Sequence, residues 1–279
     1  MIQQLSDNRI FVDYGPTQMV IDVYAGGSRV PEIGIIAAER LILEIDKLAK
    51  YLPQLRKMRV YSNVSNDFPD VLNKMIVAVE KCGYDELNTL GAVAGSFSDM
   101  VLEYVLELGA TRAIINNGGD IALNDLTGKD IKVGIPLYKD SNKGQLILTV
   151  TREMNVHGIC TSGTGGRSFT KGIATAAVVL AQDSATADAC ATYIGNMTNV
   201  EDENIIRCLA DEIDSGTDIS GQMITLKVGR ISEKNKHKAL LNGLNIAEAL
   251  YNKGIIKGAV ICIEDKIVKF PEDLNVRFI

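Results

Sequence analysis

Two alternating apolar runs open the chain, RIFVDY at 9–14 and QMVIDVYA at 18–25, parted by Gly15 and Pro16. Period-two alternation broken by a Gly-Pro pair predicts two strands joined by a tight turn. After Pro31 the apolar positions Ile35, Ala38, Ile42, Ile45, Ala49 and Leu52 recur every three or four residues, which predicts a helix that Pro53 ends. A second helix follows Pro69 with Leu72, Met75, Ile76 and Val79 inward, and a third runs from about Ser96 to Leu108. Four short β runs then follow, AIINN, IALND, KVGIPLY and QLILTVT, punctuated by Gly118, Gly119, Gly128 and Gly144. The gaps between them are too short for parallel crossovers, so antiparallel neighbours are expected.

The second half repeats the pattern. GICTSG and GIATAAVVLA read as strands, helices are expected at about 184–198 and 201–213, and MITLKVGRI reads as a strand. A long helix runs to Tyr251 and ends at Gly254, and the strands AVICIE and KIVKF flank a tight turn at Asp265. Strand pairs alternating with helix pairs predict an α+β fold with antiparallel sheets rather than a doubly wound parallel sheet.

At 279 residues, 46% hydrophobic and 23% charged, the chain can bury one large core. No linker-like stretch divides it, so a single compact domain over 1–279 is expected, with structural halves at about 1–150 and 151–279. The net charge of −6 and the scattered Lys and Arg residues leave no footprint for a nucleic acid. Neither a membrane-spanning run nor a signal-peptide pattern occurs, so a cytoplasmic location with no membrane partner is expected. The five cysteines, Cys82, Cys160, Cys190, Cys208 and Cys262, stand apart from one another with no C-x-x-C pair, and free thiols are the expected state. Of the two histidines, His237 lies in the charged run SEKNKHKA, where a solvated helix start is expected.

The most informative stretch for chemistry is SATADACATYIGN at 184–196. On a helix, Asp188 and Thr192 share a face, and the alanines around them admit another backbone or a bulky ligand. A carboxylate and a hydroxyl presented together suit a magnesium ion that also holds phosphate oxygens. The same spacing equally fits a buried helix with Ser184 as N-cap and Thr192 bonded back to the backbone. GTGGRS at 163–168 can form a nest of backbone N–H groups for an anion, with Arg167 adding charge, or simply a tight turn. In NNGGD at 116–120, Gly118 and Gly119 allow a backbone to approach a flat ring, and Asp120 is a candidate base or a residue bonded to its own turn. Cys160 precedes that glycine turn, where N–H groups and Arg167 would favour a reactive thiolate; at the end of a strand it is alternatively a small core residue.

These segments carry a resemblance. ADACAT at 187–192 resembles the A-D-A-x-x-T signature of the ApbE-like flavin transferase superfamily. LGAVAGSFSDMV at 90–101 and GATRAIINNGGDI at 109–121 resemble its small-residue loop, helix and G-G-D/N sequence, and CTSGTGGRSF at 160–169 resembles its T-S-G turn. With DYGPTQMVIDV at 13–23, the resemblance covers most of the chain in the expected order and is nearest to the short, cytoplasmic branch. It implies two T-fold-like halves packed together, and a site for a flavin nucleotide, FAD or FMN, with magnesium.

Carried over residue by residue, the resemblance implies a metal held by Asp188, Thr192 and the backbone carbonyl of Ala94. It implies a cofactor held by Ala94, Gly95, Ser96, Asn117, Gly118, Gly119, Ser162, Gly163, Gly165, Gly166 and Arg167. The reaction implied is transfer of the FMN moiety of FAD to a threonine or serine hydroxyl of an acceptor protein, with Asp120 as candidate base. If Ser184 caps the 184–198 helix, the helix dipole disfavours a bare cation beside Asp188 and favours anions, so metal and phosphate are expected to bind together. Two departures stand against full transferase activity. The family's loop reads A-K-G where Ala94 here runs straight into Gly95, and its H-I-x-D-P-x-T-G segment is absent between Phe169 and the ADACAT run. A sulfur- or thiol-handling protein of cysteine or homocysteine metabolism using Cys160, and a non-catalytic flavin-binding module, therefore stay open beside it, as does a homodimer.

Overall fold

In the computed structural model, residues 1–57, 63–136 and 145–278 are described. Gly144 and the end of the KVGIPLY run, Leu137 and Tyr138, lie outside them. The elements are β1 (Ile2–Gln4), β2 (Ile10–Tyr14), β3 (Thr17–Ala25), β4 (Ser28–Arg29), α1 (Pro31–Ala49), α2 (Leu52–Leu55), α3 (Asp70–Cys82), α4 (Val93–Glu107), β5 (Arg112–Asn117), β6 (Asp120–Asp125), β7 (Ile131–Pro136) and β8 (Gln145–Val150). Then follow β9 (Gly158–Ser162), β10 (Ala176–Ala181), α5 (Ser184–Met197), β11 (Ile205–Leu209), α6 (Ala210–Ile213), β12 (Met223–Val228), α7 (Glu233–Asn252), β13 (Ile256–Ile263), β14 (Lys266–Phe270) and β15 (Val276–Phe278).

One ten-stranded sheet in the order β1-β2-β3-β5-β6-β9-β10-β13-β14, with β4 against β3, runs through the protein. Its pairings are antiparallel, as the short connections require. Within this sheet, among the described residues, strands from the first and second halves of the chain meet at β6 and β9, through the pairs Ile121 with Ile159 and Ala122 with Gly158. A second sheet, β15-β8-β7, combines a hairpin from the first half with the C-terminal strand.

The core has three parts. One face of β2, β3 and β5 packs on α1, α3 and α4. The corresponding face of β9, β10 and β13 packs on α5 and α7. The small sheet covers the opposite face of the middle strands with Leu146, Leu148, Ile131 and Val133. β10 is therefore buried on both sides, Ala177 and Val179 toward the helices and Val178 and Leu180 toward the small sheet. A continuous apolar run is what such a strand needs.

Several expectations are corrected. The α1 stripe is rotated by one residue: Gly34, Ala37, Ala38, Leu41, Ile45 and Leu48 face inward, Ile35 and Ile42 are half-buried and Ala49 is exposed. Pro53 does not end α1, which stops at Ala49; it sits in the first turn of α2, where its missing N–H costs nothing. The small-residue segment before Ser96 is already helical, a 3-10 turn at Thr89–Ala92 leading directly into α4. No helix covers 201–213. Ile205–Leu209 pairs with β12 as a strand, because burying the Ile205 side chain and completing a ladder outweighs local helix preference, and only the single turn of α6 follows.

Candidate functional site

The site is built where α4 and α5 start side by side. α5 is rich in alanine because its neighbours β9, β10, α3, α4 and α7 surround it, leaving room only for small side chains. At Gly95 the approach is closest: an added Cβ would lie 2.8 Å from Asp188 Cβ and closer still to the Ser184 carbonyl oxygen. Ser184 is not the N-cap of α5. Asp183 caps it, Oδ1 accepting from the Thr186 N–H at 2.6 Å, and Ser184 is fully buried inside the first turn.

The N-cap residue of α4, Ala92, has no side chain to offer, and the missing acceptor comes from another helix. Asp188 Oδ2 accepts from the Gly95 N–H at 2.9 Å. In return Asp99, on α4, accepts from the Ser184 and Ala185 N–H groups at 2.8 and 2.7 Å. Asp188 is raised well above the usual carboxylate range, by burial first and the neighbouring Asp120 second, against the pull of the Gly95 and Ala94 N–H groups. Burial likewise pushes Asp99 up to about 7, although two N–H groups stabilise its charge.

Asp120 begins β6 just after the Gly118-Gly119 turn, and Ser98 Oγ donates to its carbonyl oxygen at 2.9 Å. Burial raises its carboxyl to about 6, opposed by hydrogen bonds from Cys160 and the Thr161 N–H and by the Arg167 charge. A group with that value is ionised at neutral pH and still basic enough to take a proton. Thr192 lies one turn beyond Asp188 on the same face, as its spacing predicts.

A cleft with two connected lobes, about 470 and 320 Å3, opens onto these groups. Ala94, Asp120, Arg167, Asp188 and Thr192 line both lobes. Asn117, Gly118, Ser162, Gly163 and Gly166 line the smaller one. Gly95, Ser96, Gly119, Gly165 and Cys160 do not line it; Ser96 is buried with Oγ bonded to the Ala92 carbonyl at 2.7 Å, and Gly119 N–H is bonded to Asn116 Oδ1. The larger lobe adds residues that sequence reading missed: Asn88, Lys171, Asn196 and the turn-rich 214–222 segment with Asp218 and Gln222. The only sequence signal for them was the polar interruption around Lys171 and the cluster of turn formers DSGTDISG, neither of which carries an address.

Two chemical readings of the sequence are corrected. The glycine turn is no open nest, because the N–H groups of Thr164, Gly165 and Gly166 are already bonded to the carbonyls of Ala174, Thr175 and Gly163. Arg167 instead reaches over Gly118, where a Cβ would collide with its guanidinium, and donates from Nη1 to Gln18 Oε1 at 2.8 Å. Cys160 is no activated thiol. It is fully buried, Sγ lies 3.2 Å from the Ser184 carbonyl oxygen, and burial and Asp120 push its pKa well up.

For a metal, the donor set is oxygen only. Among the described residues no group of three or more His, Cys, Asp or Glu side chains could hold an ion. What converges is two carboxylates, Asp120 raising the proton affinity of Asp188, a hydroxyl, and the Ala94 carbonyl, which accepts from Asn117 Nδ2 at 3.3 Å. Mutual repulsion of carboxylates in a cleft is relieved by a dication, so the residues present fit a hard ion that completes its shell with ligand oxygens and water. Among the described residues no helix is long and apolar enough to cross a membrane.

Among solved structures, the chain is similar to the flavin transferase ApbE from Vibrio cholerae, with a TM-score of 0.51 over 97% of each chain and 13% identity, which supports the fold. Among curated proteins it is 35% identical over 213 residues to a UPF0280 protein of Methanococcus vannielii, covering 72% of this chain and 84% of that one. A UPF0280 protein of Methanococcoides burtonii is 32% identical over 194 residues, 68% of this chain and 78% of that one. The family described as AbpE bacteria matches residues 2–269, and the chain belongs to it.

Proposed function

We propose that the two-lobed cleft binds a flavin nucleotide together with magnesium, and that the protein is a diverged relative of the flavin transferases. The observation that carries this reading is the convergence of Ala94, Asp120, Arg167, Asp188 and Thr192, from four separate segments, on one cleft. Asp188, Thr192 and the Ala94 carbonyl would hold the ion, which when bound supplies positive charge against a diphosphate. Arg167, exposed at the junction of the lobes, is positioned to pair with a phosphate, and its bond to Gln18 is weak enough to exchange.

If transfer is retained, an acceptor hydroxyl oxygen forms a bond to the FMN-side phosphorus, the diphosphate P–O bond breaks and AMP leaves. Asp120 takes the hydroxyl proton. Its carboxylate is held in place by the Thr161 N–H at 3.4 Å.

A second reading, retention of a flavin nucleotide without transfer, is favoured by one observation. Neither histidine lines the cleft: His157 faces a different cavity and His237 is exposed on α7. Thermal unfolding with FAD and magnesium, each alone and together, tests the shared part. Stabilisation by the pair, lost in Thr192→Val, supports the site; no stabilisation by FAD with or without magnesium removes it. Mass spectrometry of a threonine-bearing acceptor incubated with FAD separates the two readings, a gain equal to FMN supporting transfer and unmodified acceptor supporting retention.

A further inference from the structure

The two groups of strands in the large sheet stay paired for only two residue pairs, Ile121 with Ile159 and Ala122 with Gly158. Beyond them one more backbone hydrogen bond holds, the Leu123 N–H donating to the His157 carbonyl at 2.8 Å, and then β6 and the 151–157 connection part. The gap is a cavity of about 350 Å3, separate from the cleft above and sharing no lining residue with it. Its apolar floor is Ile131 and Val150 from the small sheet. Lys129, Arg152 and His157 stand around its rim, on a protein whose net charge is −6.

Three features bear on the charge this cavity presents. Lys129 and Arg152 make no ion pair with any described residue, and the carboxylate that acts on Arg152 is that of its chain neighbour Glu153. The wall carboxylate, Asp125, is already paired: its Oδ2 accepts from Arg112 Nη1 at 2.6 Å and its Oδ1 from the Thr127 N–H at 2.7 Å, and against the effect of burial these bonds hold its carboxyl below the usual range. The His157 ring is oriented by its Nδ1, 3.2 Å from the Leu123 carbonyl oxygen, so Nδ1 donates there and Nε2 is left to accept from a phosphate P–OH or, on the protonated ring, to donate to a phosphate oxygen. Asn155 completes the rim in a left-handed conformation, φ 49°, which asparagine tolerates better than most residues.

We propose that this cavity is a second ligand site, binding a phosphate group through Lys129, Arg152 and His157. Two fixed cations and an imidazole match a dianion, and the apolar floor admits a small organic group attached to it. The proposal does not depend on flavin binding in the main cleft.

The chain has only two histidines, so its imidazole NMR spectrum contains two ring systems and His157 reports on the cavity directly. Titration with inorganic phosphate and, separately, with glycerol phosphate at constant pH and ionic strength is expected to move the His157 ring signals saturably and leave His237 in place. Arg152→Ala and Lys129→Ala should each weaken the response about tenfold, while Thr192→Val in the main cleft leaves it unchanged. Tighter binding of glycerol phosphate than of phosphate assigns the apolar floor to an organic substituent; equal binding assigns the site to the free ion. His157 signals that stay fixed, or that respond equally in the parent and both variants, overturn the proposal.

Discussion

Asp99 and Asp188 cap each other's helices. Asp188, on α5, takes the Gly95 N–H at the start of α4, and Asp99, on α4, takes the Ser184 and Ala185 N–H groups at the start of α5. The first turn of a helix leaves N–H groups without partners, and each helix here lends the other a carboxylate aimed at its positive end. The pair fixes how the two helices sit against each other, and so where Asp188 stands relative to Ala94 on α4.

The caps should be energetically coupled. Asp99→Ala and Asp188→Ala are each expected to cost about 1–3 kcal/mol in urea unfolding, since each leaves buried N–H groups unpaired. The double variant should cost less than the sum of the two, because the second truncation acts on an interface the first has already loosened. Strict additivity would show that the two caps act independently.

Gly95→Ala is expected to be more damaging than either cap variant, because its Cβ would overlap the Ser184 carbonyl oxygen, a backbone atom that cannot swing aside. A loss of several kcal/mol, with loss of any FAD and magnesium effect, is the expected outcome. Near-parental unfolding of this variant would mean that α4 and α5 are not in contact here.

Asp99 predicts a pH dependence. Its folded value of about 7 lies above the usual 3.8, so between those values the folded chain holds more protons than the unfolded one, and stability falls as pH rises through that window. The contribution is at most roughly 4 kcal/mol. Asp120, at about 6, acts with the same sign, so the test is a comparison. The parent should lose stability between about pH 4 and pH 7 more steeply than Asp99→Asn, and parallel profiles would count against a raised Asp99.

Thiol labelling separates the cysteines. Cys208 is half-buried and the other four are buried, so an alkylating reagent should modify Cys208 in the native protein and all five cysteines after unfolding. Rapid native labelling of Cys160 would contradict its burial.

The sequence carried the secondary structure wherever the apolar period was long and uninterrupted. α3, with Leu72, Met75, Ile76 and Val79 inward, and the β2–β3 and β5–β6 hairpins follow the expected pattern, because period and turn residues act locally. The 201–213 segment was misread because its helical appearance is local and its pairing with β12 is not.

By itself, the sequence determined the α+β class, the antiparallel connections and the sharing of one helix face by Asp188 and Thr192, since each depends on residues within a few positions of one another. Only the tertiary structure decided that Asp120 and Arg167 reach that face, that Cys160 is sealed away from solvent, that Asp183 rather than Ser184 caps α5, and that Lys171, Asn88 and Gln222 complete the cleft. The reason is physical. Exposure, proton affinity and hydrogen-bond partners are set by what packs across from a residue, and here those partners lie far away in the chain, as Gly95 and Asp188 do.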